Sequence, residues 1–196
     1  MAVDEAILEA CLQRSSPPTL RLYAWQPACL SLGFSQPIAD VDEAATQSLG
    51  WQIVRRPTGG RAILHVDEIT YSVSGLLSEP ALSGSLLASY ARLSSALQVA
   101  LTLLGVQTSA KEKYALPEGT TPKGAVCFEV PSNYEITAHG KKLIGSAQAR
   151  RTDGLLQHGA LPLTGDLTRI TQVLTTPDDK ARRIAATRVL ERATTL

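Results

Sequence analysis

Arg55-Arg56-Pro57-Thr58-Gly59-Gly60-Arg61-Ala62-Ile63-Leu64-His65 is the stretch on which the reading of this chain turns. Trp51-Gln52-Ile53-Val54 before it and Ala62-Ile63-Leu64 near its end are short apolar runs. Pro-Thr-Gly-Gly between them supplies turn residues, so the spacing predicts a β-hairpin. Arginines and a histidine crowd the turn, and Gly59 and Gly60 leave backbone N–H groups open to close approach. An anionic or carbonyl-bearing ligand could lie against such a loop; a turn with a few solvated charges accounts for the same residues equally well.

Outward from that stretch the pattern alternates between short strands and helices. Val3, Ala6, Ile7, Ala10 and Cys11 recur at helical spacing over residues 3–12, which places Cys11 on an apolar face as a small core residue. Thr19 to Trp25 and Cys29 to Phe34 alternate like half-buried strands. Asp40 to Leu49 reads as a short helix with Asp40 as its cap and Gly50 at its stop. Glu68 to Ser74 is rich in β-branched and aromatic residues and reads as a strand. Leu, Ala and Ser at helical spacing from Ser83 to Leu104 predict the longest helix, packed across the sheet. Glu112 to Val126 carries Pro117, Gly119, Pro122 and Gly124 and reads as a long loop. Gly154 to Leu161 is one more strand, with His158 partway along it, and Asp166–Leu174 and Asp178–Arg192 read as helices. The fold class is therefore α+β, a mixed and largely antiparallel sheet with helices packed on it.

The totals bound what the chain does. At 196 residues and 44% apolar content it has material for one substantial core, and 1–196 reads as one domain. A net charge of +1 argues against a nucleic-acid coat or a membrane surface as partner. No continuous apolar run approaches a span and the first residues lack a signal pattern, so the expectation is cytoplasmic. Cys11, Cys29 and Cys127 form neither a CxxC pair nor an even set, which leaves no metal site and no disulfide framework in view, only the prospect of one reactive thiol.

A second hairpin is expected over Asn133–Gln148, turning at His139-Gly140. Alternation puts Lys142 on the same face as Ile144; an inward ammonium calls for an anionic partner or a chemical role, unless a twisted strand end lets it reach water. A thiol near a lysine ammonium shifts toward the nucleophilic thiolate, so Cys127 and Lys142 would together suit acyl transfer, although spacing alone cannot place them in contact.

Five segments occur in order: Arg56 to His65, Thr70-Tyr-Ser72, Cys127 to Glu135, Gly140 to Gln148 and Gln157-His-Gly-Ala160. With Ala2-Val-Asp-Glu-Ala6 and Leu30-Ser-Leu-Gly33 they resemble the lipoate-protein ligase and octanoyltransferase family, over most of the chain to about Leu174. The resemblance implies a biotin/lipoate-protein-ligase-like catalytic domain without a C-terminal accessory domain. ATP-dependent ligases of that family typically carry a third glycine after the pair matching Gly59-Gly60 and no cysteine at the position of Cys127. Arg61 and Cys127 instead match the cysteine-dependent, ligase-like octanoyltransferases.

By that resemblance Cys127 and Lys142 are catalytic, the cysteine taking an octanoyl group from octanoyl-acyl carrier protein and passing it to a lysine of a lipoyl domain or glycine-cleavage H protein, with no cofactor. Arg56, Thr58, Gly59, Gly60, Arg61, His65, Gly145, Ser146 and His158 fall at substrate-binding positions, with Ile63, Ile144 and Leu156 as expected walls of an apolar tunnel. The family's acid directly after the histidine is displaced here, since Val66 intervenes before Asp67. ATP-dependent lipoate ligation, acyl transfer between lipoyl domains and a non-catalytic binding subunit are the alternatives. A basic rim around Arg56 and Arg61 would suit an acidic lipoyl domain.

Overall fold

The computed structural model describes residues 1–110 and 135–196; Cys127 and the loop expected over 112–126 lie outside the described residues. The chain runs α1 (Ala2–Leu12), β1 (Thr19–Tyr23), β2 (Cys29–Leu32), α2 (Glu43–Ser48), β3 (Gln52–Arg55), β4 (Ile63–His65) and β5 (Glu68–Leu76). It continues through α3 (Leu86–Leu103), β6 (Ser109–Ala110), β7 (Ile136–Ala138), β8 (Lys141–Arg150), β9 (Gly154–Pro162) and α4 (Asp179–Arg192). Six strands form one sheet in the order β1-β5-β9-β8-β7-β6, antiparallel at each pairing, and three form a smaller sheet, β3-β2-β4.

The smaller sheet corrects the hairpin expected around Pro57-Thr58-Gly59-Gly60. β3 and β4 do not pair with each other: both flank β2, β3 in parallel and β4 antiparallel. The reason lies in β2, where Cys29, Leu30, Ser31 and Leu32 are all buried rather than alternating. A strand buried on both faces is stable only with both edges paired, so it inserts between the two apolar runs. Their connection then folds back over Gly33, where a Cβ would stand 1.9 Å from the Gly60 carbonyl oxygen. Gly60 itself has φ +96°, open to glycine alone.

Two apolar clusters hold the layers. Leu30, Leu32, Ile63, Ile170, Val173 and Val189 pack the small sheet against α4 and the 3-10 helix Leu167–Val173. Tyr71, Leu101, Ile136, Leu143 and Ile144 pack α3 on the large sheet. Each fully buried leucine or isoleucine contributes about 1.5–3 kcal/mol. By length and composition α3 could also cross a bilayer. It is seated on the sheet, with Tyr90 and Leu101 buried and the Tyr90 hydroxyl donating to the Ser146 carbonyl at 3.1 Å.

The second hairpin forms as expected, with His139 and Gly140 both at positive φ. Three other expectations shift. α1 buries Asp4, Leu8 and Cys11 and leaves Val3 exposed, because Asp4 turns inward to partners on the sheet. Asp42, not Asp40, caps α2, accepting from the Ala45 N–H. Leu167–Val173, expected as a helix, is 3-10 throughout, capped by Asp166.

Candidate active site

The chain leaves the small sheet at the end of β4 and enters the large one at the start of β5, and a cleft opens at that junction. Arg56, Ile63 and His65 line it from one side, and Thr70, Gly145, Ser146, Ala147, His158, Gly159 and Ala160 from the other, with Met1 at its edge. Thr70, Ala160 and Gly145 are cross-strand partners in β5, β9 and β8, as are Ser72, His158 and Ala147. Directly opposed residues share a face, so the large sheet offers small side chains with one imidazole rising among them.

The small-sheet wall is a continuous chain of hydrogen bonds. Arg56, 2% exposed, donates through Nη1 to the Ser31 carbonyl and hydroxyl at 3.0 and 3.1 Å, and through Nη2 to the Gly59 and Arg61 carbonyls at 3.0 and 2.7 Å. Ser31 Oγ lies 2.7 Å from His65 Nε2, and His65 Nδ1 lies 2.8 Å from Glu68 Oε1. A carboxylate only accepts, so His65 Nδ1 carries a proton and donates to Glu68. Thr70 donates to the same Glu68 oxygen, Trp25 Nε1 donates to Thr70 at 2.8 Å, and the Trp25 ring stacks on His65 at 4.5 Å.

The large-sheet wall is different. His158 is 4% exposed and its Nε2 lies 2.6 Å from Thr58 Oγ1, across from the small-sheet loop. Its Nδ1 has no hydrogen-bond partner among the described residues. Burial, and after it the Arg56 guanidinium, push the ring's pKa down to about 3, so the imidazole is uncharged at neutral pH.

Most of the residues singled out from sequence therefore meet: Arg56, His65, Gly145, Ser146 and His158 line one cleft, and Thr58 touches it through His158. Arg56 is a builder of the loop as well as a lining residue, and its burial rules out its share of the expected basic rim. The Arg61 side chain is half-buried, Gly59 has open space where a Cβ would stand, and Gly60 rests on Gly33. Lys142 is inward and 5% exposed, ion-paired with the buried Glu135, three residues along β8 from Gly145. Of the expected tunnel walls, Ile63 lines the cleft. Ile144 instead packs in the cluster under α3, and Leu156 lines a separate groove beside α1.

The displaced acid is also located. His65 pairs with Glu68, while Asp67 pairs with Arg169 at 2.6 Å. The positive φ of Asp67, +52°, turns its side chain away and brings Glu68 back onto the histidine. Sequence reasoning missed Ser31, Glu68 and Asp4. A serine inside an apolar strand and an acid three residues after a histidine were the available signals. Asp4 was marked only by its place in the Ala2–Ala6 segment of the family resemblance; it sits in an ordinary amphipathic pattern yet accepts from Arg21, Tyr23 and Ser72 at 2.8, 2.6 and 2.8 Å. Cys11 and Cys29 are buried, and burial pushes both thiols up, Cys29 to about 11, which keeps them protonated.

Comparison with known proteins gives a consistent picture. The family model described as the lipoyl protein ligase A/B catalytic domain matches residues 1–196. An octanoyltransferase LipM of Carboxydothermus hydrogenoformans is 45% identical over 175 residues, 89% of this chain and 64% of that protein. One of Moorella thermoacetica is 44% identical over 186 residues, 93% and 67% respectively. The chain thus spans about two thirds of the length of these curated relatives. Among solved structures, one from an archaeal lipoylation system, a bi-partite lipoate protein ligase and its E2 lipoyl domain from Thermoplasma acidophilum, superposes with a TM-score of 0.75 at 22% identity, covering 100% of this chain and 70% of that one. A lipoate-protein ligase A bound with ATP gives 0.70 at 23% identity, covering 100% and 82%.

Proposed function

The chain belongs to the lipoyl protein ligase A/B catalytic-domain family, and from that premise we propose that it is an octanoyltransferase of lipoate biosynthesis. In this reading it takes the octanoyl group from octanoyl-acyl carrier protein and delivers it to a lysine of a lipoyl domain or glycine-cleavage H protein. The reading is carried by the cleft, where small residues of β8 and β9 converge with two imidazoles. The 45% identity to an octanoyltransferase over 175 residues supports it. A carbon chain buried there gains about 0.8 kcal/mol per methylene.

The chemistry divides into two transfers. The Cys127 thiolate attacks the thioester carbonyl, and the adduct collapses by breaking the bond to the carrier's sulfur, which leaves as a thiolate and takes a proton from water. The acceptor amine, already deprotonated, then attacks the Cys127 thioester. It gives up one proton to water as the amide forms, and Cys127 leaves as thiolate. The donor thioester is already activated, so no nucleotide enters. Lys142 supplies positive charge near the developing oxyanion, and the Glu135 carboxylate balances that buried ammonium between turnovers.

The test is transfer by the purified chain from octanoyl-acyl carrier protein to an isolated lipoyl domain without nucleotide. The expected result is one octanoyl amide on the acceptor, lost in Cys127→Ala. Modification that requires ATP and a free fatty or lipoic acid, or that survives Cys127→Ala, overturns the reading in favour of ligation.

A further inference from the structure

The Thr58–His158 contact engages one ring nitrogen and leaves the other, Nδ1, without a partner among the described residues. Both side chains are buried, 1% and 4% exposed, and their 2.6 Å contact is the one hydrogen bond each side chain makes among the described residues. Two arrangements are open to a neutral ring. If Nε2–H donates to Thr58, the threonine hydrogen has no acceptor and the Nδ1 lone pair no donor, leaving two buried polar groups unmet. If Thr58 donates to Nε2, the ring proton is on Nδ1 without an acceptor and the threonine oxygen is without a donor. Each arrangement leaves one donor and one acceptor unmet, at about 1–3 kcal/mol each, but an acyl carbonyl in the cleft only accepts, and the second arrangement alone offers it a donor. That arrangement leaves an N–H donor, held in a packed strand and lacking an acceptor, on a residue that lines the cleft.

We propose that His158 is an uncharged hydrogen-bond donor, through Nδ1–H, to the carbonyl oxygen of the bound acyl group, and that Thr58 is the positioning residue that fixes this tautomer. The carbonyl-facing role, and with it the choice of tautomer, rests on the acyl-transfer reading. During attack on the thioester the negative charge collects on that oxygen, and a fixed donor stabilises it more than it stabilises the ground state. The His158 proton stays on Nδ1 throughout, so this histidine is not the base that accepts a proton from the amine. Its low basicity, set by burial and by Arg56, is what a donor requires and what a base cannot have.

Nitrogen-15 NMR of the histidine-labelled full chain tests the tautomer directly, with the three histidines assigned by substitution. The expected His158 signals are those of a neutral ring protonated at Nδ1, unchanged between pH 8 and pH 5, and lost to the Nε2–H form or a mixture in Thr58→Val. A ring that protonates near its ordinary pKa, or carries its proton on Nε2 in the wild type, overturns the proposal.

Transfer kinetics test the role. His158→Leu is expected to lower kcat roughly 100-fold to 1,000-fold with KM changed only a few-fold. His158→Asn, whose amide can place an N–H near the Nδ1 position, is expected to recover at least tenfold of that loss. Equal losses in Leu and Asn variants that unfold at the wild-type temperature overturn the donor role. A wild-type chain with the Nδ1–H tautomer that transfers no octanoyl group overturns the acyl-transfer reading, and with it the carbonyl-facing role, while leaving the tautomer assignment in place.

Discussion

Two histidines face one cleft from opposite sheets, and their surroundings could hardly differ more. His65, on the small-sheet side, has both ring nitrogens engaged, one by Ser31 and one by Glu68, in a chain of bonds from Arg56 to Trp25. His158, on the large-sheet side, has one nitrogen engaged by Thr58 and the other without a partner among the described residues. A buried network with every member satisfied fixes geometry; a buried group left one bond short is primed for whatever supplies it. The first wall should therefore respond to substitution mainly in stability and the second mainly in rate.

The largest stability effect expected is on the satisfied wall. Arg56→Ala removes the donor to the Ser31, Gly59 and Arg61 carbonyls. It should cost about 3–5 kcal/mol and lower the unfolding temperature by roughly 10 °C, read by calorimetry. A shift of less than about 2 °C would show that the loop holds its shape without the guanidinium.

The next effect sharpens the contrast through pH. The His158 pKa is depressed in the folded chain to about 3 from an ordinary 6.5, so below 6.5 the unfolded chain binds the extra proton and the folded chain does not. Stability is fully present above pH 6.5 and falls as pH drops through 6.5 toward 3. By pH 5 this amounts to about 2 kcal/mol. Denaturant titrations at pH 7 and pH 5 should show that loss in the wild type and a smaller one in His158→Asn. Equal losses would place the pH dependence elsewhere. Asp4 acts lower still. Burial opposes its ionisation, but bonds from Tyr23, Ser72 and Arg21 hold its pKa below the ordinary 3.8, so its contribution is lost only as pH falls through that lowered value.

The smallest effect expected is from Glu68→Gln, which keeps an acceptor for His65 but loses the charge. It should cost about 1–2 kcal/mol by denaturant unfolding and reduce kcat less than His158→Leu does. A loss of rate exceeding that of His158→Leu would reverse the roles assigned to the two walls.

What could be read from sequence follows the same division. Local geometry was legible: the turn at His139-Gly140, the long helix expected over Ser83–Leu104 and found as Leu86–Leu103, the inward side of Lys142 by strand parity, and the burial of Cys11. Strand partners were not, because two apolar runs joined by Pro-Thr-Gly-Gly read as a hairpin whether or not a third strand inserts between them. Only the continuous burial of Cys29–Leu32 explains why β2 does so. The resemblance to the lipoyl ligase family gathered most of the cleft, but it could not show that Arg56 braces the loop. Nor could it show that Thr58 meets a histidine a hundred residues away, or that Glu68 rather than Asp67 serves His65. Those are facts of tertiary contact, with no periodicity to announce them.

The most direct measurement is the intact mass of the wild-type chain and of Cys127→Ser after incubation with octanoyl-acyl carrier protein and no nucleotide. The account predicts one octanoyl group on the wild type, released by neutral hydroxylamine as a thioester is, with no hydroxylamine-labile adduct on the serine variant. A folded wild-type chain that gains no mass, or that gains it at a site Cys127→Ser leaves labile, would contradict it.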